Sequence, residues 1–290
     1  MSTQVAPDGA AAGYRAHSTL TFGTEFRRQL TRRRTQWTLG LLALLPIVLY
    51  VAFTIGGDQG RDDNANGAFA LADFGTFGAA NFTLFALLVT SGFLIIVVVA
   101  LFCGDTIASE AQWGSLRYLL ATPVPRGRLL AIKFSVGLAF SALAMVVLTA
   151  ASLLVGFLAY GWEPLVAPLG GEIAADDAVW RVLGVAGYLA VSMLVVASLA
   201  FLLSVMTDAP LAAVGGAVLL HIMSNILNAV TALGDLRDLL PTRYAQAWLG
   251  LLSEPAQYDD MVRGVVVSLA YAAVFTVAAF IRFNRKDVTS

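Results

Sequence analysis

Long apolar runs alternate with short polar ones along this chain, and the apolar runs have the length of a membrane crossing. Residues 37–55, 82–103, 129–160, 182–206, 209–230 and 262–281 are each mostly apolar. An α-helix rising ~1.5 Å per residue needs ~20 such residues to cross a hydrocarbon layer ~30 Å thick. The pattern therefore predicts six transmembrane helices. Residues 182–230 would extend ~75 Å as one helix, so they are divided at Met206-Thr207-Asp208-Ala209-Pro210. There Asp208 is placed to cap the fifth span and Pro210 to start it. Pro46 predicts a kink in the first span. The third run is longer than a bilayer requires, so its beginning, with Lys133, is expected to project from the membrane or snorkel.

The polar stretches carry patterns of their own. Residues 1–18 are rich in Ala and Gly without periodicity and predict a disordered tail. Over 19–36, Phe22, Phe26 and Leu30 recur every fourth residue, with Arg27, Arg28, Arg32, Arg33 and Arg34 on other faces. That spacing predicts an amphipathic helix lying in the interfacial plane. Residues 56–81 and 161–180 read as acidic loops. Residues 231–261 mix Leu236, Leu239, Tyr244, Trp248, Leu251 and Leu252 with charges, and predict short helices with aromatics at headgroup level. The most polar segment between two spans is 104–128. Ile107, Ala111, Leu116, Leu119 and Leu120 fall at roughly helical spacing there, punctuated by Asp105, Glu110, Gln112 and Arg117. A short surface helix within 104–121 is expected, stopped by Pro123 and Pro125 before Arg126 and Arg128.

Composition agrees: of 290 residues 58% are hydrophobic and 13% charged, against roughly a quarter charged in soluble domains. This is the profile of an all-α integral membrane protein. A net charge of −1 argues against nucleic acid as a partner. Cys103 is the sole cysteine, so neither an intrachain disulfide nor a cysteine metal site can form. Met1–Ala16 lacks the basic and apolar regions of a signal peptide, so the first span is expected to act as an uncleaved targeting signal. Of the 18 lysines and arginines, 13 fall in the N-terminal tail, the 104–133 region and the C-terminus, and 5 fall in the alternate loops. That bias predicts both termini and the 104–128 loop in the cytoplasm.

Enzymatic chemistry is sparse. With only Lys133 and Lys286, neither followed by Ser or Thr, the chain has no G-x-x-x-x-G-K-[ST] phosphate loop. Any ATPase would be a separate polypeptide. On the fifth span His221, Asn225 and Asn228 share a helical face with Ser224 beside them. Polar groups at that depth line a pathway or bond neighbouring helices. The His221/Asn225 spacing superficially resembles one motif of CPBP-type intramembrane proteases, but the paired-glutamate motif those enzymes also need is absent. A non-transporting scaffold is a further alternative.

A resemblance organises these features. Gly104-Asp105-Thr106-Ile107-Ala108, Glu110, Gly114-Ser115-Leu116-Arg117-Tyr118-Leu119-Leu120, Pro123-Val124 and Arg126 resemble a pattern that recurs between the second and third spans of ABC-2 type transporter permeases. Pro241-Thr242-Arg243-Tyr244 with Ala247-Trp248 resembles a second family motif, with Arg243 in place of the commoner His. Phe283-Asn284-Arg285-Lys286-Asp287-Val288 resembles the family's ending. The resemblance implies a six-helix, N-in/C-in, type V exporter-like membrane domain spanning 37–290. It implies that residues 19–36 form a cytoplasmic connecting helix and that 104–121 contains the coupling helix docking on a partner ABC ATPase. Asp105, Glu110, Gly114, Leu116, Arg117, Leu120, Pro123 and Arg126 would form that interface. Glu110 and Arg117, two turns apart, would each seek a different partner, and Gly114 would allow close approach of another backbone. No cofactor is expected in this chain; ATP and Mg would be bound by the ATPase. A second permease copy, in a homodimer or paralogous heterodimer, and membrane lipid complete the expected partners. The implied function is export of a small hydrophobic or amphipathic compound across a bacterial or archaeal inner membrane.

Overall fold

A chain segment in hydrocarbon must satisfy its own backbone N–H and C=O groups, and a helix does so within one segment. The apolar runs accordingly fold as helices in a computed structural model that describes residues 20–56, 73–114, 125–167 and 171–285. In chain order these are α1 (Phe22–Leu30), α2 (Arg33–Gly56), α3 (Ala79–Ser91), α4 (Leu94–Gln112), α5 (Arg126–Tyr160), α6 (Ala175–Ser192), α7 (Leu194–Met206), α8 (Pro210–Ala229) and α9 (Asp259–Arg285). Among the described residues, six helical stretches are long and apolar enough to cross a membrane: α2, α4, α5, α6 with α7, α8 and α9. The six-span, helical membrane architecture expected from the sequence is present. The 1–18 tail and much of the 56–81 loop lie outside the described residues.

Several boundaries differ from expectation. The run at 82–103 is not one helix: it divides between α3 and α4 at Gly92-Phe93, where Phe93 adopts φ −147° and ψ −54°. Hydroxyls of Thr90 and Ser91 donate back to the carbonyls of Ala86 and Leu88 just before the break, a contact that competes with regular helix. α4 then continues past Cys103 to Gln112. The fourth span divides likewise at Met193, after Ser192 donates to the Tyr188 carbonyl. α8 starts with Pro210 in its first turn, but its cap is Ala209; Asp208 does not fill that role, and Thr207 Oγ1 accepts from Ala209 N–H instead. α9 is longer than 262–281, with Asp259 and Asp260 in its first turn and Arg282 and Arg285 in its last, the arrangement a helix dipole favours.

The loop after α5 is not plain coil. Leu165–Val166 (β1) and Glu172–Ile173 (β2) pair antiparallel. Fully buried Asn81 at the start of α3 holds this hairpin, donating to the Val166 carbonyl (2.9 Å) and accepting from Val166 N–H (3.1 Å). Residues 231–239 and 247–252 form short 3-10 helices, but Trp248, Leu251 and Leu252 are buried in the core rather than set at headgroup level. Arg181 of α6 donates to the Leu251 carbonyl, and the Tyr188 hydroxyl to that of Tyr244 (2.5 Å), pulling this segment onto the bundle.

α4 is the central post. It packs against α5 on one side and α7 and α8 on the other, while α2 and α3 pack on α5 and α9 on α7. Gly104 sets the spacing: a Cβ there would lie 3.1 Å from Val214 Cγ2 and 3.4 Å from Ala200 Cβ. Ser204 of α7 fixes the register, its buried Oγ accepting from the backbone N–H of Ile107 (3.0 Å) and Ala108 (2.9 Å).

Candidate functional site

The end of α4 meets the start of α5 and the whole of α1 in a knot of charge. α1 begins at Thr21, whose Oγ1 accepts from Thr24 N–H (3.3 Å) and caps the helix. Its orientation inverts a soluble amphipathic helix. Glu25 and Gln29 are buried, Phe22 and Leu30 are exposed, and Phe26 stacks on Phe140 of α5 with centroids 4.6 Å apart. Glu25, Gln29 and Phe26 face protein while Phe22, Leu30, Arg27 and Arg28 face outward, so α1 is docked on the bundle rather than resting only on lipid.

Four side chains form an alternating ring. Glu25 Oε1 accepts from Lys133 Nζ (2.8 Å) and Arg28 (2.9 Å); Glu110 Oε1 accepts from the same Lys133 (2.8 Å) and Arg28 (2.6 Å). Lys133, Glu110 and Glu25 retain 3%, 7% and 8% of side-chain exposure, and Arg28 retains 44%. Alternation is what lets such burial stand, because each carboxylate is offset by two cations. Burial pushes the Glu25 carboxyl up, but Lys133 and Arg28 outweigh it and hold the group below its ordinary 4.5. Burial likewise acts against the Arg28 cation, and Glu25 and Glu110 reverse it. Further back along α4, Asp105 accepts from Arg34 at the start of α2 (2.5 Å), with Arg32 3.7 Å away.

A pH dependence follows. A carboxyl depressed in the folded state stabilises it fully above 4.5, and that contribution is lost as pH falls below 4.5 through the lowered value. Because the one native thiol, Cys103, is buried, a nitroxide on Arg27→Cys reports α1 selectively. Its mobility is expected to stay low from neutral pH down to the ordinary carboxylate range and to rise in stronger acid. In a Glu25→Gln background that rise should shrink.

The sequence-predicted residues are thus placed unevenly. Asp105 and Glu110 lie on the last turns of a buried helix, not on a separate surface helix, because cations from α1, α2 and α5 neutralise them there. Lys133 neither projects nor snorkels; it turns inward to both glutamates. Gly114 takes φ +66°, which serves a left-handed turn after α4, and among the described residues a Cβ added there would meet no atom within 4 Å. Arg126 is exposed in the first turn of α5. Leu116, Arg117, Leu120 and Pro123 lie outside the described residues, as does the second half of the expected coupling helix. On α8, Asn225 is exposed and His221 and Asn228 half-buried; the buried polar residue of that face is Ser224, paired with Thr242 (2.8 Å). Asn225 Nδ2 donates to the His221 carbonyl (3.4 Å), and of the trio Asn225 is the member that faces outward from this single bundle. Sequence reasoning misses Glu25, Arg28, Arg34 and the inward role of Lys133. The one signal for them is Glu25 itself, the single acid within a strongly basic segment.

Residues 23–288 match the sequence profile of a family described as "ABC-2 family transporter protein". A relative from Bacillus subtilis (strain 168), "Uncharacterized protein YhcI", is 26% identical over 234 residues, covering 73% of this chain and 67% of the relative.

Proposed function

The chain belongs to the ABC-2 transporter family and is a transporter membrane subunit, and from that premise we propose that it exports a small hydrophobic or amphipathic compound, driven by a separate ABC ATPase engaged through residues 104–128. The observation that carries this reading is the course of α4. The most buried of the candidate spans runs without interruption from Leu94 to Gln112 and ends in the charge ring immediately before the 115–124 segment. A rigid body reaching from the membrane core to that segment can pass a displacement in either direction. The ring ties it to α1 and α5, so the three would move together. ATP and Mg are held by the ATPase partner in this reading, and a second permease copy completes the transporter. On α8 the exposed Asn225 is then best satisfied by a pathway or a neighbouring copy, since an exposed amide at membrane depth is costly, and half-buried His221 and Asn228 flank it.

The test is co-purification of the full chain with ATPases of its own host, followed by reconstitution. The expected result is a complex of two permeases and two ATPase subunits that moves lipophilic compounds in an ATP-dependent manner. A chain that remains without an ATPase and transports or hydrolyses substrate alone would overturn the proposal.

A further inference from the structure

Within the bundle, α4, α5 and the junction of α6 with α7 leave a cavity of about 270 Å³, lined by no member of the charge ring and by none of the His221 face. Val99, Ala142, Met145, Ala190, Met193 and Ala197 are among its walls. α6 gives way to α7 at Met193 beside the cavity, and alanines at 142, 190 and 197 leave volume that larger side chains would fill. Its level along α5, which starts at Arg126 and reaches the cavity over 138–145, is ~18–29 Å from the helix start, within the hydrocarbon layer.

We propose that this cavity is a binding site for one hydrocarbon chain of a bilayer lipid, admitted laterally between α5 and the α6–α7 junction. Three observations select that occupant. First, the wall is apolar, and its one hydroxyl, Ser141 Oγ, is already committed to the Gly137 carbonyl at 2.9 Å. A water or polar ligand would find no partners, and an apolar cavity of ~150 Å³ already stays dry and takes hydrocarbon. Second, about 270 Å³ is less than the roughly 420 Å³ that one turn of a helix ~10 Å across fills, so the space excludes a helix of a second copy but suits a single flexible chain. Third, Ala142 at the rim is exposed while Met145, Met193 and Ala197 deeper in are buried, so the mouth opens on the bilayer. Methionine thioethers adapt to irregular aliphatic surfaces.

The experiment uses the full chain in nanodiscs containing phosphatidylcholine with a mid-chain diazirine, and maps the photo-adducts. Adducts are expected to concentrate in 138–145 and 190–197. Ala142→Trp, which closes the mouth, should lower them about tenfold, the loss of roughly two buried methylene contacts. Ala150→Trp, exposed on the same helix outside the cavity, should leave them unchanged. Ala190→Phe fills the interior from the opposite wall and serves if Ala142→Trp does not yield a monodisperse protein. Glycerophosphocholine, the headgroup without chains, should not compete. Adducts spread evenly over outward-facing residues, adducts unaffected by both fillers, or competition by the bare headgroup would overturn the site.

Discussion

Lys133→Met is expected to release α1 from the bundle and lower the thermal midpoint of the protein. The substitution keeps the apolar stem of the side chain and removes the ammonium group that donates to both glutamates. Arg28 would then be the one cation of the ring left to Glu25 and Glu110, whose side chains are 8% and 7% exposed. Removing one partner from a buried pair costs ~3–5 kcal/mol. Arg28 is 44% exposed and water reaches the ring through it, so the lower end applies, about 3 kcal/mol. For a chain of this size that lowers the midpoint by on the order of 6 °C. Lys133→Arg keeps the cation and should cost less. Adding Glu25→Gln to Lys133→Met removes the surplus carboxylate and should restore part of the loss, a coupling readable in a double-mutant cycle. An unchanged midpoint together with an immobile nitroxide at position 27 would show that the ring does not hold α1.

The second large effect is expected at Glu110. Under the proposed function, Glu110→Ala leaves membrane insertion intact but separates ATP hydrolysis from transport. Glu110 joins α4 to α1 through Arg28 and to α5 through Lys133, and its removal loosens the end of α4 from both. Coupling free energies between linked sites are typically ~1–3 kcal/mol, so transport per ATP hydrolysed should fall about tenfold. Asp63→Ala, in the first loop between spans, is the control. Proteoliposome assays of ATPase rate and flux separate the outcomes. If Glu110→Ala and Asp63→Ala behave alike in both assays, Glu110 has no coupling role. If both activities vanish together with a collapsed midpoint, Glu110 acts through stability alone.

The crossings are legible in the sequence because their signal is local: ~20 apolar residues in a row identify a span whatever surrounds it. The Pro210 boundary is legible for the same reason, since a proline without N–H belongs in a first helical turn. The breaks at Gly92-Phe93 and Met193 are not, because neither involves a proline and hydroxyls bonding back to carbonyls leave no apolar gap. The charge ring is the largest loss. Asp105 and Glu110 look like solvent-facing positions when polarity is read one segment at a time. Their partners Arg34, Arg28 and Lys133 stand 71, 82 and 23 residues away in the chain, and no local window joins them. Trp248 misleads in the opposite sense: an aromatic in a polar stretch suggests a headgroup anchor, but Arg181 draws the following turn inward.

The ring also constrains how such a chain can diverge. Each of its four members touches two others of opposite sign, so a single replacement leaves a surplus charge in a place where water is scarce. Divergence has two inexpensive routes: a change at the half-open Arg28, or a concerted exchange of a glutamate with a cation. Positions 25, 28, 110 and 133 are therefore expected to change together, spread over three helices and linked by electroneutrality rather than by nearness in sequence.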